Sequence, residues 1–277
     1  MRVPILLLAA SLGWAQDANE IIRRSTARDF TNFENRKDYT YLERAEVREY
    51  NSKGKLSKTE IETHEILVLE GRPYEKLVAR NDKPLSARDA AKEDRKLDQE
   101  VAKRRREPAS EKARLEKERR EQDKFLREFT DAFNFKILGE EAVSGKPAWV
   151  LAVDPKQGFR PKSTDAKVFQ KLHGKIWIDK GEYHWVKAEG EATDTLSFGL
   201  FLFRIAPGAT LSFEQTRVNG EVWLPSRISV RAEARLALLK KMRAEIDVTY
   251  RDYRKFQADS KIVAGSIDPS DQPVKKD

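Results

Sequence analysis

The sequence predicts an α+β protein whose strands pair antiparallel. Three observations carry that prediction. Short runs alternating apolar with charged residues are joined by Asn/Gly turns, a long mixed-charge stretch interrupts them, and several strands are apolar on both faces.

The chain opens with Arg2, the apolar run Val3 to Leu12, and Gly13-Trp14-Ala15. A positive start, a short apolar centre and a small-x-small end predict a secretory signal peptide over 1–15. The apolar run falls short of the roughly 20 residues that span a bilayer. An exported protein without a lipid-anchor cysteine is therefore expected, in the periplasm or otherwise outside the cytoplasm. Cysteine is absent altogether, which removes disulfides and thiolate chemistry. The net charge of +8 and pI near 9.4 suit anionic lipid headgroups or acidic envelope polymers. Export argues against nucleic acid.

Asp17 to Phe30 places Ile21, Ile22 and Ala27 on a helical stripe, with Asp17 or Asn19 as cap. Tyr39, Tyr41, Ala45 and Val47 then alternate with charged residues, and a turn around Gly54 leads to a strand over Ile61 to Leu69. Glu70-Gly71-Arg72-Pro73 turns into a third strand at Tyr74 to Arg80, completing a meander. From Ser86 to Phe133 apolar residues thin out among dense charges. Ser86 and Asp89 mark a helix start, and Pro108 divides the stretch into two helices. Their sparse stripe, Leu97, Val101, Leu115, Phe125, Leu126, Phe129 and Phe133, predicts an arm docked mainly at its ends.

Strands resume after Asn134. Ala148 to Val153 is apolar on both faces, as is Leu196 to Phe203. Between them, Gly174 to Ala192 reads as a hairpin. A three-residue loop, Asp179-Lys180-Gly181, with Gly181 left-handed, puts Ile176, Ile178, His184, Val186 and Ala188 on one face. Trp177, Tyr183 and Trp185 take the other. Asn219-Gly220 is the strongest hairpin signal in the chain. Alternation over Ile228 to Leu238 and Ala244 to Tyr250 predicts a long hairpin turning near Leu239 to Lys241. The polar segment 258–277 reads as a disordered tail.

No catalytic motif is present. His64, His173 and His184 lack metal-ligand spacing, and pairs such as Asp252/Glu245 or Glu189/Glu191 stand in a general charge background. No enzyme activity, cofactor or metal is expected. What remains is a surplus of apolar strand surface, covered either by helices or by a ligand. Its candidate residues are Trp149, Trp177, Tyr183, Trp185, Phe198, Leu200, Phe201, Phe203 and Phe213.

The order of Lys146-Pro147-Ala148-Trp149-Val150-Leu151, Gly174-Lys175-Ile176-Trp177-Ile178-Asp179, Val186-Lys187-Ala188-Glu189-Gly190 and Asn219-Gly220-Glu221-Val222-Trp223-Leu224-Pro225 resembles the outer-membrane lipoprotein-sorting protein (LolA/LolB-like) superfamily, as a divergent member. The resemblance spans most of residues 17 to 257. It implies an unclosed antiparallel β-barrel, a half-barrel over 16–257, with an N-terminal helix and the helical arm inserted at 84–133. It implies a hydrophobic cavity, and hence a non-catalytic carrier or sensor for a lipid or the acyl chains of a lipidated protein. The nine residues above become its cavity lining, and an anionic membrane surface becomes a second partner. The arm exceeds the helical lid of the family, and no arginine is matched to its cavity-gating arginine. The alternative is an envelope scaffold with a filled core, binding a protein partner through 86–133.

Overall fold

The computed structural model describes residues 17–163, 165–198, 203–236 and 240–255. Residues 1–15, the tail 258–277, Leu200 and Phe201 lie outside them.

The chain runs α1 (Ala18–Arg36), β1 (Tyr39–Tyr50), β2 (Leu56–Leu69), β3 (Arg72–Arg80) and the two-residue β4 (Lys83–Pro84). Then come α2 (Ala87–Arg105), α3 (Ala109–Ala132), β5 (Phe133–Val143) and β6 (Lys146–Pro155). A short 3-10 helix (Asp165–Lys171) precedes β7 (Leu172–Asp179), β8 (Trp185–Ala192), β9 (Leu196–Phe198), β10 (Phe203–Ile205), β11 (Thr210–Val218), β12 (Val222–Leu236) and β13 (Lys240–Lys255).

All thirteen strands belong to one antiparallel sheet, in the order β4-β3-β2-β1-β13-β12-β11-β8-β7-β6-β5, with β9 and β10 appended at β12. Its ends, β4 and β5, do not meet, so the sheet is an unclosed half-barrel. β1 pairs with β13, joining the first meander to the last strand of the chain.

Local chemistry sets the turns. Asn51 Oδ1 accepts from the backbone N–H groups of Lys53 (2.9 Å) and Lys55 (3.0 Å). Asn219 (φ 51°) and Gly220 (φ 70°) both take the left-handed backbone in a three-residue loop, 219–221, closed by the Val218–Val222 pair. β12 and β13 pair from Arg227–Thr249 to Leu236–Lys240, the long hairpin that the alternation predicts. Gly174 lies opposite Gly190, and a Cβ on it would stand 2.0 Å from the Glu189 carbonyl oxygen, so only glycine fits.

The hairpin between β7 and β8 departs from expectation. Its last pair is Ile178–Trp185, which leaves a six-residue loop, 179–184, in place of three. Asp179 Oδ1 accepts from the N–H groups of Gly181 (3.0 Å) and Glu182 (2.7 Å), and Tyr183 (φ 61°) supplies the left-handed residue instead of Gly181. A bulge between Trp177 and Ile178 adds one residue on β8. Trp185 therefore joins Ile176, Ile178 and Ala188, while Val186 joins Trp177. One extra residue swaps the faces of everything beyond it.

The main core lies on the concave face of β5–β8. Ile21 and Ile22 of α1, Ala132 of α3, and Phe133, Trp149, Leu151, Ile176 and Ile178 of the sheet are buried together, with Phe125 and Phe129 of α3 packed against them. Ser86 Oγ caps α2 by accepting from the Asp89 N–H (3.2 Å), and Pro108 stands at the N-cap of α3. α2 docks on β3, next to the sheet's edge, where Lys76 Nζ meets Asp94 at 2.7 Å and the Arg104 guanidinium sits 5.9 Å from the Tyr74 ring centre. α3 crosses back over the concave face to the core.

α1 is fastened to the bare backbone of β12. Asn32, buried, donates to the Trp223 carbonyl (2.7 Å) and accepts from the Trp223 N–H (2.8 Å), taking the place of a neighbouring strand. His184 and Asp29 approach to 3.2 Å, tying the β7–β8 loop to the same helix. Burial pushes the Asp29 carboxyl up, opposed by the histidine.

Candidate functional site

The five candidate residues whose side chains are described, Trp149, Trp177, Tyr183, Trp185 and Phe213, do not share one packed chamber. Trp149, Tyr183 and Trp185 pack into the helix-covered core: Trp149 lies 5.1 Å from Tyr183, and Trp185 lies 5.2 Å from Phe129. Trp177 is on the opposite, convex face with Ala148, Val150, Val186 and Trp223. Its indole N–H donates to Glu141 (2.8 Å) and Lys187 Nζ sits 4.5 Å from its ring centre. Replacing Trp177 by Ala is expected to cost about 3–5 kcal/mol of stability without touching a concave-face ligand, measurable by denaturant unfolding. Phe198 and Phe203 pair with each other in β9 and β10, and their side chains, like Leu200 and Phe201, lie outside the described residues.

Phe213 leads elsewhere. Directly opposed residues share a face, so the ladder Ile176–Ala188–Phe213–Ile228–Val248–Ala45 follows the concave face from the core across β7, β8, β11, β12, β13 and β1. The next row is Leu211–Val230–Ile246–Val47, and Ala232–Ala244 and Ala234–Met242 follow. These side chains form an apolar lane beside the core. Leu211 is 48% exposed. Among the described residues no helix packs on the lane; the cluster that holds α1 and α3 stops at Ala188.

The other face of the same strands is charged. Arg48 Nε meets Glu46 at 2.8 Å and its Nη2 meets Asp247 at 3.2 Å, while Arg227 meets Asp247 at 2.9 Å and Arg44 meets Glu46 at 3.1 Å. An antiparallel sheet with one solvated face alternates in this way. Here the charged face is the wet one, and no helix among the described residues covers the apolar face.

Past Glu43, on the same face of β1, lies a cleft of about 950 Å³ beneath α3. Tyr39, Tyr41, Ile66, Val68 and Pro73 form its floor, Leu115 and Arg119 of α3 its roof, and Arg36, Arg72, Arg104 and Glu107 its walls. Tyr41, Tyr250 and Tyr253 cluster at the junction, with Tyr41 5.8 and 5.5 Å from the other two ring centres. Burial pushes all three phenols up. Burial also raises the Glu43 carboxyl, helped by Glu75. At the far end of the lane, Ala234 and Met242 line a second cleft of about 710 Å³.

The sequence reading missed Arg36, Tyr41, Ile66, Ile228 and Val248 as site residues. Their alternation was visible, but only the β1–β13 pairing reveals that they lie side by side. Among the described residues, no group of three His, Asp or Glu side chains could hold a metal, and no helix is long and apolar enough to cross a membrane.

Solved structures share this arrangement in part. An outer membrane lipoprotein-sorting protein domain from Vibrio parahaemolyticus is 14% identical, with 88% of this chain and 94% of that one aligned at a TM-score of 0.38. A LolA superfamily protein from Nitrosomonas europaea is 12% identical over 88% and 94%, at 0.31. The chain is similar to LolA superfamily proteins. A DUF1329 family protein from Desulfovibrio piger is 10% identical over 86% and 92%, at 0.33. No protein-family model and no curated protein matches the chain. At these scores the likeness carries no argument, and the half-barrel stands on its own strand pairings.

Proposed function

We propose that this protein is a non-catalytic binder of hydrophobic ligands, a carrier or sensor for a lipid or for the acyl chains of a lipidated protein. One observation carries the reading: β1, β12 and β13 bear ion pairs on one face and, on the other, an apolar lane that no helix covers among the described residues. Hydrocarbon laid on that lane leaves water, worth about 0.8 kcal/mol per methylene and on the order of 10 kcal/mol for a long chain before entropy costs. No covalent step is needed. The signal-peptide pattern of 1–15 supports a site of work outside the cytoplasm, in the periplasm, where a lipid in transit needs shielding from water.

Native mass spectrometry of the protein before and after solvent extraction tests the reading. Co-purifying lipid that is lost on extraction and regained on adding acyl chains is the expected result. A lipid-free protein with no affinity for acyl probes refutes it and favours the scaffold alternative, with α2 and α3 as partner surface.

A further inference from the structure

Arg36, at the C-terminal end of α1, stands where the cleft meets the lane. Its guanidinium makes two hydrogen bonds, both to neutral acceptors: Nε to the Trp223 carbonyl at 3.2 Å and Nη2 to Gln215 Oε1 at 2.6 Å. Gln215 is two residues from Phe213 of the lane. The other arginines of the cleft wall are answered by carboxylates: Arg72 by Glu107 at 2.6 Å, Arg104 by Glu100 at 2.7 Å, Arg119 by Glu116 at 3.1 Å. Among the described residues, no carboxylate reaches Arg36 within ion-pair distance. Asp29, whose charge it feels, is engaged with His184. Burial lowers the Arg36 pKa, and the charge of Asp29 only partly opposes the shift.

A charge withdrawn from water without a partner is costly, and a bound anion removes that cost. The surface beyond Gln215 is apolar, running through Phe213 and Ile228, while Glu43 stands at its β1 border. From Ile228 to Ala234 along β12 the lane covers about 20 Å at about 3.3 Å per residue, the length of a long acyl chain. We infer that the site takes a long-chain fatty acid anion, its carboxylate paired with the Arg36 guanidinium and its tail laid along the lane past Val248 and Ile228. This rests on the hydrophobic-ligand reading and adds the head group to it.

The test compares oleate with oleyl alcohol, the same chain without the charge, on the delipidated full-length protein by calorimetric titration. Oleate is expected to bind about tenfold tighter, the value of one charge-assisted contact. In Arg36→Gln the two ligands should bind alike, and Arg36→Lys should recover part of the preference. Equal binding in the wild type overturns the inference while leaving a hydrophobic site intact, and this comparison decides the matter even where a variant fails to fold. A preference that survives Arg36→Gln also overturns it, as does binding to dioleoylphosphatidylglycerol vesicles without binding to oleate. Failure of both oleate and the alcohol removes the underlying reading as well.

Discussion

Ile228→Asp is expected to weaken long-chain ligand binding by about 10- to 100-fold, or roughly 1.4–2.8 kcal/mol. Ile228 sits mid-lane between Phe213 and Val248, so a carboxylate there would have to lose water wherever hydrocarbon covers it. The fold should tolerate the change. Ile228 is only half-buried and outside the packed clusters, and a cost of about 1 kcal/mol lowers the melting temperature by about 2–4 °C in a chain of this size. Thr249→Asp is the control: Thr249 stands between Arg44 and Arg227 on the wet face, where a new carboxylate is welcome. Fluorescent acyl-probe titration of both variants separates the faces. Equal losses, or none in Ile228→Asp, would rule out the lane as the binding surface.

Arg104→Ala is expected to loosen α2 by about 2–4 kcal/mol. Its side chain is only 9% exposed, and it holds Glu100 at 2.7 Å, the Leu69 and Arg72 carbonyls at 3.0 Å each, and the Pro73 carbonyl at 3.1 Å. The arm has little apolar burial to replace these bonds. Hydrogen exchange should quicken over residues 87–105 while β6 and β7 keep their protection. Lysine should restore only a fraction, because an ammonium cannot fork to three carbonyls. A uniform loss of protection over the whole sheet would show that Arg104 supports the global fold instead of pinning the arm.

Local features were legible where one chemical rule acts alone. Asn219-Gly220, the Ser86 cap and Pro108 each act within a few residues, and the alternation over Ile228 to Tyr250 has a single period. The hairpin faces were not legible. The bulge at Trp177/Ile178 and the longer loop depend on Asp179 gathering two N–H groups, which composition does not announce. The location of the site was hidden for a different reason. Trp149 and Trp185 stand out as large apolar residues, and size favours the core. The lane is built from ordinary Ile, Val and Ala residues, and what distinguishes them is the pairing of β1 with β13, some 200 residues apart in the chain.

That same pairing governs how the molecule comes together. Until residues 240–255 are available, β1–β3 and β5–β12 are separate meanders, each ending in a ladder of unpaired amides and carbonyls. Contact order is correspondingly high, and the last segment made completes the assembly. Folding is thereby postponed until nearly the whole polypeptide has been delivered.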